Sequence, residues 1–448
     1  GTRVERECRQ KISKMKFKIE DLTVYFPYDT VYPEQYEYMT ELKRILDIKG
    51  QAVLEMPTGT GKTVSLLSLI TSYQAANSNI GKLIYCTRTV AEMEKTLEEL
   101  KFVLSARSKH TGKNSEILAL GLSSRKNLCI HPIVGKETER EKVDSMCREL
   151  TAPWVQDKKQ LGDMEDLDRQ LGHCSLFEKW NSVADELQLN TQVYTLDDLK
   201  EYGQTNGICP YFLSRKMINI ANVVVYNYAY ILDPKISSYV SREVASDSII
   251  VFDEAHNIDN TCIESMSINL NRKTLDIASR NISRLSQNVE TAKRMDTSRL
   301  QEEYKRLVKG LGAQGAFKTK ALQEDLMANP VLATDIIEEA IPGNIRKAEH
   351  FLSFMRRIIV FLKNKLKIKE AIIQSPLSLV YEMIKENYVY DPKALKFVSD
   401  RLRSLLNTLE VVNLDEFTPL GLVADFAALV ATYSKGFAII LEPYPDNN

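Results

Sequence analysis

Lys62 and Thr63 close the stretch Met56-Pro57-Thr58-Gly59-Thr60-Gly61-Lys62-Thr63, which sits between an apolar run at 51–55 and a helix-like run at 64–73. Residue types in this order suit phosphate chemistry. The glycines allow a tight turn in which the backbone N–H groups of Thr58, Gly59, Thr60 and Gly61 and the start of a helix cradle phosphate oxygens. Lys62 then reaches the β/γ-phosphates, and the Thr63 hydroxyl serves Mg²⁺. One position departs from the strict pattern, which has Gly where Met56 stands. Far downstream, the apolar run Ser248-Ile249-Ile250-Val251-Phe252 ends in Asp253-Glu254-Ala255-His256. A carboxylate at the end of a strand beside the phosphate loop can hold the Mg²⁺ shell, and the next one can orient and deprotonate a water. Asp253 is assigned to the metal and Glu254 to the base. Either motif alone is a common turn; the two in this order and context point to nucleoside triphosphate hydrolysis.

Other residues could do chemistry. Cys129, Cys147, Cys174 and Cys209 lie between the two motifs, with seventeen, twenty-six and thirty-four residues between successive members. Spacing alone favours scattered buried thiols, since zinc sites usually contain a tight pair. Cys86 ends a core strand, and Cys8 and Cys262 are read with it as structural. Thr87, Arg88 and Thr89 form a hydroxyl, guanidinium and hydroxyl series at a strand end, suited to nucleic-acid phosphates, although Arg88 can equally brace the sheet. Arg125 and Lys126 near Cys129, and Tyr211 and Arg215 near Cys209, combine cations with an aromatic face, the means by which single strands are gripped. Tyr211 and Phe212 serve equally well as core. His256 follows Glu254 by two positions and is expected to couple the nucleotide to the nucleic-acid face.

These groups need a scaffold. Short apolar runs at 52–55, 82–86, 222–226, 248–252 and 437–441 read as buried parallel strands, with helices at 64–75 and 90–104 as crossovers: a doubly wound α/β sheet. From about Thr261 the pattern changes to apolar residues at three and four spacing, over 275–311, 344–374, 392–411 and 419–433, which predicts packed amphipathic helices. Loops are expected at 310–322 and 375–379. Polar stretches at 135–137 and 158–163 predict that the cysteine region buries little core of its own.

The chain has 448 residues, 59 Lys and Arg against 60 Asp and Glu, and seven cysteines without a short-spaced pair. Near neutrality means that any nucleic-acid site is a local cluster. The cysteine density excludes a disulfide scaffold and suggests a reducing compartment. No apolar run has the length of a membrane span, and no secretory leader is evident, so no membrane partner is expected.

The pair PTGTGKT and DEAH, with Val31-Tyr32-Pro33-Glu34-Gln35 upstream, resembles superfamily two helicases. Tyr25-Phe26-Pro27-Tyr28, Tyr85-Cys86-Thr87-Arg88-Thr89, Ser123 to Cys129, Cys209-Pro210-Tyr211-Phe212 and Phe252 to Asn260 sharpen the likeness to XPD-like helicases, over Met15 to about Pro443. The resemblance implies a RecA-like P-loop parallel sheet carrying two insertions, one binding a 4Fe-4S cluster through Cys129, Cys147, Cys174 and Cys209, the other a helical Arch. It implies the boundaries 1–14 for an extension, 15–120 and 213–262 for the first motor domain, 121–212 for the cluster insertion, 263–434 for the Arch and 435–448 for a return strand. It implies ATP with Mg²⁺, Gln35 on the adenine edge, single-stranded DNA bordered by Tyr211 and Arg215, and 5′ to 3′ movement. It further implies nuclear residence in transcription factor IIH, with roles in nucleotide excision repair and transcription initiation and the kinase-module tether at the Arch. The family's Ser-Gly-Thr motif and second motor domain are not found before Asn448. A non-enzymatic DNA-binding and assembly platform is therefore the alternative expectation for the chain.

Overall fold

Alternating burial along Met15–Ile19 (β1) and Leu22–Phe26 (β2) matches their antiparallel pairing, Phe17 opposite Val24, in a hairpin that turns at Glu20 with φ +54°. The structure is a computed structural model. It describes residues 15–57, 59–77, 79–114, 116–152, 173–184, 186–187, 189–233, 247–295, 297–309, 341–411 and 413–443. The expected extension at 1–14, the expected loop at 310–322, the polar stretch at 158–163 and Thr58 lie outside these.

Two units are distinguished, one formed by 1–137, 175–231 and 239–261, the other by 138–174, 232–238 and 262–448. In the first, five parallel strands form the sheet: Leu83–Thr87 (β3), Ala119–Leu122 (β4), Val193–Tyr194 (β5), Val223–Asn227 (β6) and Ile249–Phe252 (β7), in the order β5-β4-β6-β3-β7. β3 is buried at every residue, as a central strand covered on both faces must be. Around the sheet run Pro33–Asp47 (α1), Lys62–Ala76 (α2), Val90–Thr111 (α3), the short Arg125–Leu128 (α4), Leu196–Asn206 (α5) and Pro210–Met217 (α6). α3 begins with a capping box in which Thr89 and Glu92 exchange hydrogen bonds, and ends at Gly112 in the left-handed region. Because the strands are parallel, Thr87, Leu122, Asn227 and Phe252 share one rim, where ligands of open α/β sheets bind.

The second unit is helical: Arg272–Met295 (α7), Ala348–Lys365 (α8), Pro376–Lys385 (α9), Val398–Thr408 (α10) and Thr418–Thr432 (α11) bury an apolar cluster that includes Leu275, Phe351, Phe361, Phe397 and Leu420. The helix Arg140–Thr151, from the expected cluster insertion, belongs to this unit, where the Arg148 Nη2 donates to Asn407 Oδ1 at 2.6 Å.

Four expectations are corrected. Residues 52–55 join no ladder among the described residues. Val53 is 97% exposed, and β7 is the edge of the sheet, so this run lacks the neighbour that holds a strand in place. Ile439–Leu441 (β9) is a strand, but it pairs antiparallel with Ile372–Gln374 (β8) in the helical unit rather than entering the parallel sheet. Residues 375–379 are not a loop. Ser375 accepts from the Ser378 N–H at 3.2 Å and Pro376 occupies the first helical position, so Ser-Pro starts α9. The cysteine region also buries more than its polarity predicts: Phe177, Trp180 and Phe212 stack with centroids 4.7–5.8 Å apart.

Candidate nucleotide and nucleic-acid site

Gly59 and Gly61 adopt φ of +78° and +76°, so the loop turns as its glycines allow and delivers Lys62 as the first residue of α2. The end of β7 is held by the sheet: the Asp253 N–H donates to the Cys86 carbonyl at 3.0 Å. Glu254 then enters the left-handed region, φ +52° and ψ 48°. This turn places its carboxylate 3.2 Å from the Lys62 ammonium, 192 positions away in sequence, and 3.4 Å from His256 Nδ1. The phosphate lysine and the expected base therefore share one rim. Phosphates offered to Lys62 would compete with Glu254 for the same ammonium.

Beneath them lies a polar group that sequence reasoning missed. Tyr85 is buried on β3, and burial together with the Asp253 charge pushes its hydroxyl well above the ordinary value. Burial pushes the Asp253 carboxyl up from its ordinary value, the nearby Tyr85 hydroxyl opposes this, and the Glu254 charge adds to it. Burial together with the Asp253 charge pushes Tyr38 up to about 12. Burial raises the carboxyl of Glu99 on α3 above its ordinary value. Tyr85 and Glu99 carried a sequence signal only as polar residues inside apolar periods.

Gln35 is 4% exposed. Its carbonyl accepts from the Tyr32 N–H at 2.9 Å, and its Nε2 donates to the Thr60 carbonyl at 2.8 Å. The amide thus braces the phosphate loop; a primary amide has a second N–H and a second lone pair with which to meet a base edge.

On the nucleic-acid side the three adjacent candidates divide. Thr87 is fully buried, and its hydroxyl donates to the Thr89 carbonyl at 3.1 Å. The Thr89 hydroxyl accepts from the Glu92 N–H at 3.2 Å as the cap of α3, while Arg88 is exposed. The Thr87 hydroxyl is thus used as a donor inside the protein, whereas the Thr89 hydroxyl, an acceptor at the cap, keeps its O–H to donate. Tyr211 is not an open stacking platform: it is 4% exposed, with the Arg125 and Arg215 guanidinium carbons 4.5 and 4.4 Å from its ring centroid. Two cations flanking one ring make a positive spot, and Lys126 beside it is exposed.

Known proteins fit this geometry. The DEAD_2 family model matches residues 85–275, and the helical and beta-bridge domain matches 288–436. The general transcription and DNA repair factor IIH helicase subunit XPD of Arabidopsis thaliana is 49% identical over 433 residues, covering 96% of this chain and 56% of the relative. Subunit XPD/RAD3 of Saccharomyces cerevisiae is 44% identical over 434 residues, covering 97% and 55%. The chain belongs to the XPD helicase family. It spans about half the length of these relatives. A more distant relative, regulator of telomere elongation helicase 1 of Mus musculus, is 29% identical over 301 residues, covering 58% of this chain and 22% of the relative. A solved XPD helicase aligns over 93% of this chain and 54% of its own at 16% identity and a TM-score of 0.42, too low to carry weight.

Within the XPD family comparison the four intermotif cysteines stand as follows. Cys129 follows α4, and Cys209 immediately precedes α6, with its N–H donating to the Leu176 carbonyl at 3.0 Å. Cys147 lies on the helix Arg140–Thr151, and Cys174 is buried. Cys129 and Cys209 fall in the first unit, Cys147 and Cys174 in the second. Among the described residues no group of three or more His, Cys, Asp or Glu converges closely enough to hold a metal ion. The donor chemistry suits iron: four thiols are soft ligands, and a thiol at the start of α6 sits where a helix dipole favours thiolate. Cys86 is buried in β3 and its thiol is pushed up, as expected of a structural cysteine. No described helix is long and apolar enough to cross a membrane.

Proposed function

We propose that this chain supplies the ATP-handling and strand-gripping part of a 5′ to 3′ DNA helicase, acting in the nucleus as a subunit of transcription factor IIH in nucleotide excision repair and transcription initiation. The observation that carries the reading is the meeting of Lys62 and Glu254 at 3.2 Å across 192 positions, since triphosphate hydrolysis needs both on one rim. The N–H groups at 58–63 and the start of α2 take the phosphates, Lys62 the β/γ-phosphate charge, and Thr63 and Asp253 the Mg²⁺. Glu254, drawn off Lys62 as phosphates arrive, orients the attacking water and accepts its proton; His256, in contact with Glu254, relays the change. Gln35 ties the adenine side to the loop through Thr60.

In the same reading Cys129, Cys147, Cys174 and Cys209 hold a 4Fe-4S cluster, whose bonds cross-link the insertion. Single-stranded DNA lies along Arg88, Lys126 and the Arg125, Tyr211 and Arg215 stack, with the guanidinium groups rather than the ring face as the contact. The helical unit carries the surface for other transcription factor IIH subunits, the kinase-module tether among them. The test is ATP hydrolysis by the full-length protein with and without single-stranded DNA, alongside bound iron. DNA-stimulated turnover that falls to background in Lys62→Ala, with iron lost in Cys209→Ser, supports the reading. Turnover indifferent to Lys62→Ala would sink it.

A further inference from the structure

Asn227 ends β6 and Tyr228 follows it, and neither belongs to the phosphate loop, the acidic turn or the cysteine set. Both reach across the sheet. The Tyr228 N–H donates to the Thr87 carbonyl at 2.8 Å, which keeps the chain beside β3 for one residue beyond the ladder. The Tyr228 side chain then passes over the end of β3, packs its ring 5.8 Å from that of Phe252 and donates its hydroxyl to the Asp253 carbonyl. β6 and β7 are two places apart in the sheet, roughly 9–10 Å at ordinary strand spacing, so a long rigid side chain with a terminal donor is what such a crossing requires. Asn227 reaches the loop that follows β3: its Nδ2 donates to the Arg88 carbonyl, while its Oδ1 accepts from the Ala229 N–H at 3.0 Å.

The two bonds end at informative places. The Asp253 carbonyl belongs to the peptide that joins Asp253 to Glu254, and Glu254 holds a left-handed conformation unusual for a residue with a side chain. Such a conformation persists only where its surroundings over-determine it. Here the Asp253 N–H is fixed to Cys86, its carbonyl to Tyr228, and the Glu254 carbonyl accepts from the Asn257 N–H at 3.1 Å. The Arg88 carbonyl lies at the centre of the loop 87–89, whose Arg88 side chain is exposed. Tyr228 is fully buried.

Building on the proposed function, we infer that Asn227 and Tyr228 are positioning residues that couple the two faces of the rim, one holding the strand-gripping loop at Arg88, the other holding the Asp253-Glu254 turn. Movement of the loop on a bound strand is carried by two consecutive residues to the peptide that aims Glu254. Neither residue touches a reacting atom.

Coupling between two sites is reciprocal in binding, so it is measurable without turnover. The experiment compares single-stranded DNA affinity of the full-length protein with and without a non-hydrolysable ATP analogue, for the wild type, Tyr228→Phe and Asn227→Asp. Tyr228→Phe removes one hydroxyl and keeps the ring on Phe252. Asn227→Asp removes the donor to Arg88 and keeps the acceptor for Ala229. The expected result is a nucleotide-dependent change in DNA affinity in the wild type that shrinks toward a ratio of one in both variants. Analogue affinity alone should stay within about two-fold in each, and DNA affinity alone within about two-fold in Tyr228→Phe, where a generally loosened fold would weaken both. A ratio unchanged in both variants overturns the inference, as does a wild type that binds both ligands independently. A wild type that fails to bind the analogue or the strand sinks the proposed function itself.

Discussion

Gly61→Ala tests the link between Gln35 and the phosphate loop. Gly61 sits at φ +76°, and a Cβ there would lie 2.9 Å from Gln35 Nε2. Two costs follow. Left-handed backbone costs an alanine roughly 1–2 kcal/mol. The approach also forces the Gln35 amide off the Thr60 carbonyl, a 2.8 Å bond at a residue 4% exposed, and a buried amide left without its partner costs about 1–3 kcal/mol. Together these come to about 2–5 kcal/mol. Gly112→Ala isolates the first cost, because Gly112 has φ +66° with nothing within 4 Å of its Cβ position. The assay is urea denaturation with a fluorescent ATP analogue titrated in parallel, on Gly61→Ala, Gly112→Ala, Gln35→Ala and Gly61→Ala in the Gln35→Ala background. Gly112→Ala should lose roughly 1–2 kcal/mol of stability and no nucleotide affinity. Gly61→Ala should lose more in total, with nucleotide affinity among the losses, and the excess should vanish once Gln35 is alanine. An equal cost for Gly61→Ala in both backgrounds would refute the reasoning, since Gln35 would then bear no load.

Two further outcomes concern the helical unit. Arg401 and Glu303 form a buried ion pair, their side chains 0% and 2% exposed, in which Arg401 Nη1 meets Glu303 Oε1 at 2.9 Å and Nε donates to the Ile345 carbonyl at 3.0 Å. Arg401→Met strands a buried carboxylate and should cost about 3–5 kcal/mol by denaturation, whereas Arg401→Met with Glu303→Leu should recover most of it; equal losses would show that the charge is not what matters. Burial pushes the Asp400 carboxyl up to about 6, with Arg403 opposing and Asp425 reinforcing. The folded state therefore holds this proton more tightly than the unfolded chain. Its stabilising share is full below about pH 4 and is lost as pH rises through about 6. Asp400→Asn should flatten the fall in thermal stability across that window, and an unchanged profile would exclude Asp400 as its source.

Lys62, Thr63, Asp253 and Glu254 were legible because loop and acidic turn keep their order and types along the chain, and the apolar runs around them mark strand ends. The strands at 82–86, 222–226 and 248–252 were legible for the same reason: buried β-branched runs bounded by turns have few alternatives. The apolar run at 52–55 also reads as a strand and joins no ladder among the described residues, because a strand exists only where a neighbour accepts its hydrogen bonds. Likewise 437–441 reads as a parallel strand, yet its three paired residues lie antiparallel to β8. Composition specifies extended backbone; it does not choose the partner.

Side-chain duties show the same division. Thr87 offers a phosphate donor in sequence, yet in the fold it is buried and its hydroxyl donates to the Thr89 carbonyl. Tyr211 suits a base-stacking platform in sequence, yet in the fold it is buried with Arg125, which precedes it by 86 positions, and Arg215 packed over its ring. The chemistry of the phosphate loop and the acidic turn was written in residue type and local spacing, because each is a short segment whose function depends on its own backbone, whereas the spacing of the four thiols alone favours scattered buried cysteines. The roles of Gln35, Tyr85, Asn227 and Tyr228 were decided only in three dimensions, because their partners are fixed by which strand ends the sheet brings to one rim, and that order is a property of the pairing, not of any segment.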